Sequence, residues 1–415
     1  YLADTTSLNK YFEAMNAQGK GLEQHEILKV QLMRGEKEQD YLTHIWNLTS
    51  MMDHPIIAKE ENQDEACYRQ FYEEAISLCR KKRFHEVLEK CRYTSLDDEE
   101  EYSIDVIQPE KIEFKQNSYE DGENSIISFP EFLLLVLDVC TGGEQPASHY
   151  QPDKLIEKFD ALKTYFTAGE FYEKMLYYRL LLDYYTIRRD IKDGQGNYSL
   201  ILKGPKDDSD KLKQYQSMLY VSTEAFYNWL KPYLRKLEQD ELHSCAEMLA
   251  FLKKEDNERH GVLPSRKDLS YKASGNIRYW FWRLDYYLWE QRSTFFNEEE
   301  QKIVEHYVFR RNRSIEHLHP QDESHNEEWE EEAVHSFGNL AMISQSFNSQ
   351  QSNDHIQIKF ARIHEQISNK SLQSIKMFLM CKLADFNYQN WTMKLAKEHE
   401  NEMIEFLERS FYISD

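Results

Sequence analysis

The stretch that decides how this chain is read runs from Ser314 to Lys359. It begins Ser-Ile-Glu316-His317-Leu-His319-Pro320-Gln321, passes through an acidic segment, and resumes at His335-Ser-Phe-Gly338-Asn339-Leu340-Ala-Met-Ile343. A polar segment holding Asn348, Ser352 and Asn353 then leads into a helical pattern that carries Lys359. Glu316-His317 ends one short apolar run just before a proline, and Gly338-Asn339-Leu340 opens another. Runs this short between turn-forming residues predict two strands, and the segment after Asn348 predicts a helix.

Glu-His on a first strand, with Asn on a second strand and before the following helix, is the layout of a ββα-metal nuclease unit. The residue types suit that chemistry. Phosphodiester hydrolysis needs a base for water, and a neutral imidazole serves near pH 7. It also uses a hard divalent cation to offset charge on the phosphate and the departing oxygen. Carboxylate and amide oxygens are the ligands such a cation prefers. Glu316 and Asn348 therefore stand as metal ligands for one Mg²⁺ or Mn²⁺, with His317 as the base. Asn339 would fix the loop and orient the imidazole. Lys359 would steady the scissile phosphate or the product, unless it is an ordinary solvent-facing lysine. Ser352 and Asn353 are expected to cap the helix and place Asn348, and His319 is a second imidazole in possible support.

The same residues resemble the HNH-type nuclease domain of the DUF1524 family, within the DUF262/DUF1524 (GmrSD-like) group. That family's pattern runs (D/E)-H-apolar-x-P-Q, G-N-L, N-x-x-x-S-N and a downstream Lys. It is matched here by Glu316, His317, Pro320, Gln321, Gly338, Asn339, Leu340, Asn348, Ser352, Asn353 and Lys359. Ala341-Met342 stands where Thr-Leu is usual. The resemblance implies a DNA endonuclease of a modification-dependent restriction or anti-phage system. An inactive nuclease fold, or a helical module that binds protein or modified DNA, is the alternative. The segment from Phe12 to Lys29, a helical hairpin with breakers at Gly19 and Gly21, resembles the tail of a DUF262 domain. The nucleotide-binding signature of that domain is not among these residues, so no nucleotide site is expected, and the reading is of a fragment with its sensor part upstream.

Composition sets the frame around that stretch. With 415 residues the chain can hold two or three cores, and 13 glycines and 9 prolines favour helices over a sandwich. The fold expected is mainly α, a multi-helix bundle with a small ββα-metal (HNH-like) unit. Six scattered cysteines with no C-x-x-C pair indicate neither a disulfide framework nor a zinc-thiolate site. With no signal peptide and no membrane-spanning run, a soluble cytoplasmic protein without a membrane partner is expected. A net charge of −22 argues against a protein that coats nucleic acid, though a nuclease needs only a local basic path. Arg310, Arg311 and Arg313 are placed to hold DNA phosphates, or else to pair with nearby acids. The acids between Asp322 and Glu332 are expected to point away from DNA.

The expected domains are 1–35 (the DUF262-like tail), 36–264 (a helical region) and 265–415 (the nuclease domain). Within the helical region, Cys67, Phe71, Ala75, Leu78 and Cys79 recur at helical spacing and predict a buried stripe. Arg80-Lys-Lys-Arg83 reads as a helix C-terminus rather than a DNA contact. The polar stretch Asp256 to Asp268 is taken as the last boundary between domains. The aromatic run Ile277 to Arg292 is expected to be core rather than a base-stacking platform. The sequence leaves open whether the chain forms a homo-oligomer or joins a partner subunit.

Overall fold

The structure is a computed structural model, and it describes residues 23–57, 64–92, 122–191, 198–207, 209–222, 225–311, 313–321, 329–344, 356–369 and 371–412. The chain divides into two compact units, Tyr1–Pro205 with Leu230–Glu241, and Lys206–Trp229 with Leu242–Asp415. Both are mostly helical, and among the described residues each holds one small antiparallel sheet. Among the described residues, no helix is long and apolar enough to cross a membrane.

The first unit contains α1 (Gln24–Met33), α2 (Gln39–Ser50), α3 (Glu65–Arg80), α4 (Phe84–Arg92), α5 (Phe129–Cys140), α6 (Leu155–Leu162) and α7 (Ala168–Tyr185). Helix α7 is central and packs against α2, α3 and α5. Thr167 starts it with a capping box, in which Thr167 Oγ1 accepts from Glu170 N and the Glu170 carboxylate accepts from Thr167 N. The buried stripe of α3 meets the expected one at Ala75 and Cys79 and departs from it in the first two turns. Tyr68, Tyr72, Ala75, Ile76 and Cys79 face inward, whereas Cys67 and Phe71 are exposed. The tyrosines win those positions because Tyr68 and Tyr72 both donate their hydroxyls to Ile57 O while burying their rings. Strands β1 (Gly122–Asn124), β2 (Arg188–Ile191) and β3 (Tyr198–Ile201) form a three-stranded meander that the sequence reading did not contain. The arginines of the basic run serve the fold. Arg80 bonds Asp240, the Tyr177 hydroxyl and Leu237 O, Arg83 pairs with Glu86, and Lys81 is the C-terminal cap of α3.

The second unit contains α8 (Ser209–Val221), α9 (Cys245–His260), α10 (Ile277–Glu290), β4 (Arg313–His317), α11 (Glu331–Val334), β5 (Leu340–Ser344), α12 (Ile356–Ser368), α13 (Ile375–Leu383) and α14 (Met393–Arg409). The aromatic helix α10 is its pivot, packed on α8, α13, α14 and β5. Every residue from Tyr279 to Trp289 is buried, which is the core role expected of the aromatic run. The polar stretch from Asp256 lies within this unit. Asp256 itself is buried, accepting hydrogen bonds from Tyr215, Tyr279 and Arg283.

Strands β4 and β5 pair antiparallel, with Glu316 opposite Ala341 and His317 opposite Leu340. Leu340 to Ile343 are all buried, so both faces of β5 are covered. A core of Leu318, Trp329, Ala341, Ile343, Phe360, Met380 and Trp391 joins the strands to α12, α13 and α14.

Candidate active site

The site grows from the register of β4 and β5 and from what bolts the start of β5 in place. Gly338 precedes that strand, where the backbone of α14 comes so close that an added Cβ would lie 2.2 Å from Ala396 O. Only glycine tolerates that approach. Asn339 follows, fully buried, with its side chain wholly engaged. Its Nδ2 donates to His319 O (3.0 Å) and Val334 O (2.9 Å), while its Oδ1 accepts from His319 N (2.8 Å) and Trp391 Nε1 (3.2 Å). Asn339 thus staples the end of β4 to the turn before β5.

A second bolt comes from α13. Buried Lys376 donates to Phe337 O (2.8 Å) and Leu340 O (2.6 Å). Its backbone N–H is in turn fixed by Asp285 of α10 at 2.8 Å. Burial lowers the Lys376 ammonium to about 7, although Asp285 and Glu400 oppose the shift. Burial likewise raises the Asp285 carboxyl to about 6. The aromatic helix therefore positions the strand pair through a short polar chain, Asp285 to Lys376 to the carbonyl of Leu340.

Successive residues of a strand point to opposite faces, so Glu316 and His317 diverge. Glu316 turns toward α12, where its Oε1 pairs with Lys359 Nζ. Lys359 is 3% exposed because it shares the inward face of α12 with Ile356 and Ile363, so it is not a solvent-facing lysine. It also donates to His317 O at 2.7 Å, tying carboxylate and strand together.

The His317 ring meets three side chains on the other face. Its Nε2 lies 3.0 Å from His335 Nδ1. Gln321 Nε2 lies 2.9 Å from Nδ1 and 3.3 Å from Nε2. The Tyr271 ring meets it edge-on, with centroids 4.6 Å apart. Burial first, then His335 and Lys359, hold the His317 pKa down to about 3, so the ring is uncharged at neutral pH. Burial and Lys272 lower that of His335 as well, against the pull of Glu331.

Of the residues read from sequence, Glu316, His317, Asn339 and Lys359 come together at the end of β4. His319 stands apart in role. It is buried, its backbone is held by Asn339, and its ring stacks on Trp329 at 4.1 Å. Arg310 is exposed, while the Arg311 guanidinium lies 4.0 Å over the Tyr220 ring and donates to Tyr220 O. Arg313 pairs with Ser344 at the outer end of the ladder. Asn348, Ser352, Asn353, the 322–328 part of the acidic segment and most of the 1–35 tail lie outside the described residues. His335, Tyr271 and a role for Gln321 were missed. Their only sequence signal was the imidazole three residues ahead of Gly338, which the Gly338-Asn339 turn carries back to β4.

Among the described residues, no group of three or more His, Cys, Asp or Glu side chains is placed to hold a metal ion. No protein of curated function and no solved structure matches the chain. The family model described as GmrSD restriction endonucleases, C-terminal domain, matches residues 264–406, a stretch that contains β4, β5 and all the side chains around His317. Over those residues the chain is similar to the C-terminal domain of the GmrSD restriction endonucleases.

Proposed function

We propose that this chain is a DNA endonuclease of the HNH, ββα-metal type, hydrolysing phosphodiester bonds at the Glu316–His317 end of β4 as part of a restriction or anti-phage protein. The observation that carries the reading is an uncharged, sequestered imidazole one residue after a buried carboxylate that already draws a cation, inside a segment similar to a restriction endonuclease domain.

His317 accepts the proton of the attacking water. A pKa near 3 makes a weak base, but an anionic phosphodiester beside the ring raises it toward a useful value. Lys359 holds Glu316 in place and keeps positive charge next to it. Exposed Arg310, with Arg313, would hold flanking phosphates. The donors fit a hard cation, since Glu316 offers a carboxylate oxygen and Asn348 would add an amide oxygen. Mg²⁺ or Mn²⁺ bound there would offset charge on the phosphate and on the leaving 3′-oxygen.

The test is nicking of supercoiled plasmid DNA by the purified chain with Mg²⁺ or Mn²⁺, alongside an EDTA control. The expected result is metal-dependent nicks that carry 5′-phosphate and 3′-hydroxyl ends. Cutting that survives EDTA, or no cutting with either metal, would overturn the reading.

A further inference from the structure

A base on a strand needs more than a place; its ring must be held with the right nitrogen bare. Sequence alone gave that task to Asn339, yet both N–H groups and the oxygen of Asn339 are spent on His319, Val334 and Trp391. The neighbour that reaches the imidazole is His335, whose Nδ1 lies 3.0 Å from His317 Nε2.

We propose that His335 is the positioning residue of the His317 imidazole. It accepts the hydrogen on Nε2 and so keeps the ring in the tautomer whose Nδ1 lone pair, capped here by the Gln321 amide, takes a proton from the water that displaces that amide. The role rests on the nuclease reading given above, while the tautomer itself does not.

The direction of the bond follows from Gln321. Its amide nitrogen, a donor, lies nearer Nδ1 (2.9 Å) than Nε2 (3.3 Å), and the shorter contact favours a lone pair at Nδ1. A neutral imidazole with a bare Nδ1 carries its hydrogen on Nε2, and the atom there to receive it is His335 Nδ1. His335 is itself held firmly. Its carbonyl accepts from Tyr271 N (3.0 Å) and Ser270 Oγ (3.1 Å), and as the C-cap of α11 its N–H donates to Glu331 O (3.2 Å). Its ring lies nearly parallel to Tyr271, 5.8 Å between centroids, while the Tyr271 and His317 rings cross at 63°. The Tyr271 ring thus braces both imidazoles.

The experiment uses the intact chain with ¹⁵N-labelled histidine, as wild type, His335→Leu and His335→Gln, with His317→Ala to assign the signals. Ring-nitrogen NMR reads which nitrogen of His317 carries hydrogen, and nicking under turnover conditions reads kcat and KM. The wild type is expected to hold its hydrogen on Nε2, His335→Leu to populate both tautomers, and His335→Gln, which keeps an acceptor oxygen, to return the ring to the wild-type form. Turnover should fall about 10- to 100-fold in His335→Leu with KM unchanged, and recover in large part in His335→Gln. Hydrogen on Nδ1 in the wild type, or the same tautomer in wild type and His335→Leu, would overturn the assignment. An unchanged kcat in His335→Leu, in a chain that cuts, would remove the positioning role. The predicted tautomers in a chain that never cuts would uphold the His335 contact and count against the nuclease reading instead.

Discussion

Replacing Lys359 by Met tests the inner wall of the site. The ammonium is 3% exposed and Glu316 is 7% exposed, so the substitution takes the Lys359 charge away from a buried carboxylate. Removing one partner of a buried pair costs about 3–5 kcal/mol, because the remaining charge stays desolvated. The bond to His317 O is lost in the same step. Urea unfolding followed by tryptophan fluorescence is the natural assay. Of the seven tryptophans only Trp46 lies in the first unit, so the signal reports the unit that holds the site. Lys359→Met should lower its stability by that amount, and less at pH 5 than at pH 8, because the stranded carboxyl takes up a proton. Adding Glu316→Gln removes the stranded charge, so the double variant should regain much of the loss. A single variant costing under about 1 kcal/mol would refute the reasoning, as the 3–5 kcal/mol expected of a buried pair would be absent. So would a double variant whose cost equals the sum of the two singles.

Other changes probe the frame around the site. Gly338→Ala pushes a Cβ onto the carbonyl of Ala396, and we expect a loss of about 1–3 kcal/mol in the second unit together with loss of cutting. An unchanged urea midpoint would show that α14 can retreat. His399 is buried, its ring nitrogens find no hydrogen-bond partner among the described residues, and burial and Lys376 hold its pKa well below 6.5. A folded-state pKa below the unfolded one means the unfolded chain takes the proton first. Its stabilising share is therefore intact above about pH 6.5 and is lost as pH falls below that value. His399→Phe should remove this share, losing up to about 2 kcal/mol less than wild type between pH 6.5 and 5, since each pH unit is worth 1.4 kcal/mol per proton. Parallel pH profiles for the two proteins would contradict the assignment.

How much was legible depends on whether a residue's role is local. Glu316-His317 ahead of Pro320, and Gly338-Asn339-Leu340 ahead of an apolar run, mark strand ends through short-range rules, and the structure pairs those strands with His317 opposite Leu340. The aromatic run of α10 likewise announced a helix buried on all sides. The α3 stripe held at Ala75 and Cys79 but not at Cys67 and Phe71, where Tyr68 and Tyr72 are buried instead because a Tyr hydroxyl with a carbonyl partner buries well. The β1–β3 meander was hidden because β2 reads Arg-Arg-Asp-Ile. Its arginines are satisfied from afar, Arg188 by Asp183 and Glu123 O, and Arg189 by Ser125 O. His335 went unread for a similar reason, since only the three-dimensional turn at Gly338 and Asn339 brings it within 3.0 Å of His317.

The central claim is that His317 is the base of a nuclease. Its most direct test is the single-turnover nicking rate of the chain and of His317→Ala at saturating DNA and Mn²⁺, with DNA affinity measured in parallel. Loss of a general base should slow the cut by about 10²–10⁴-fold while binding stays the same. A His317→Ala chain that cuts at the wild-type rate would contradict the account.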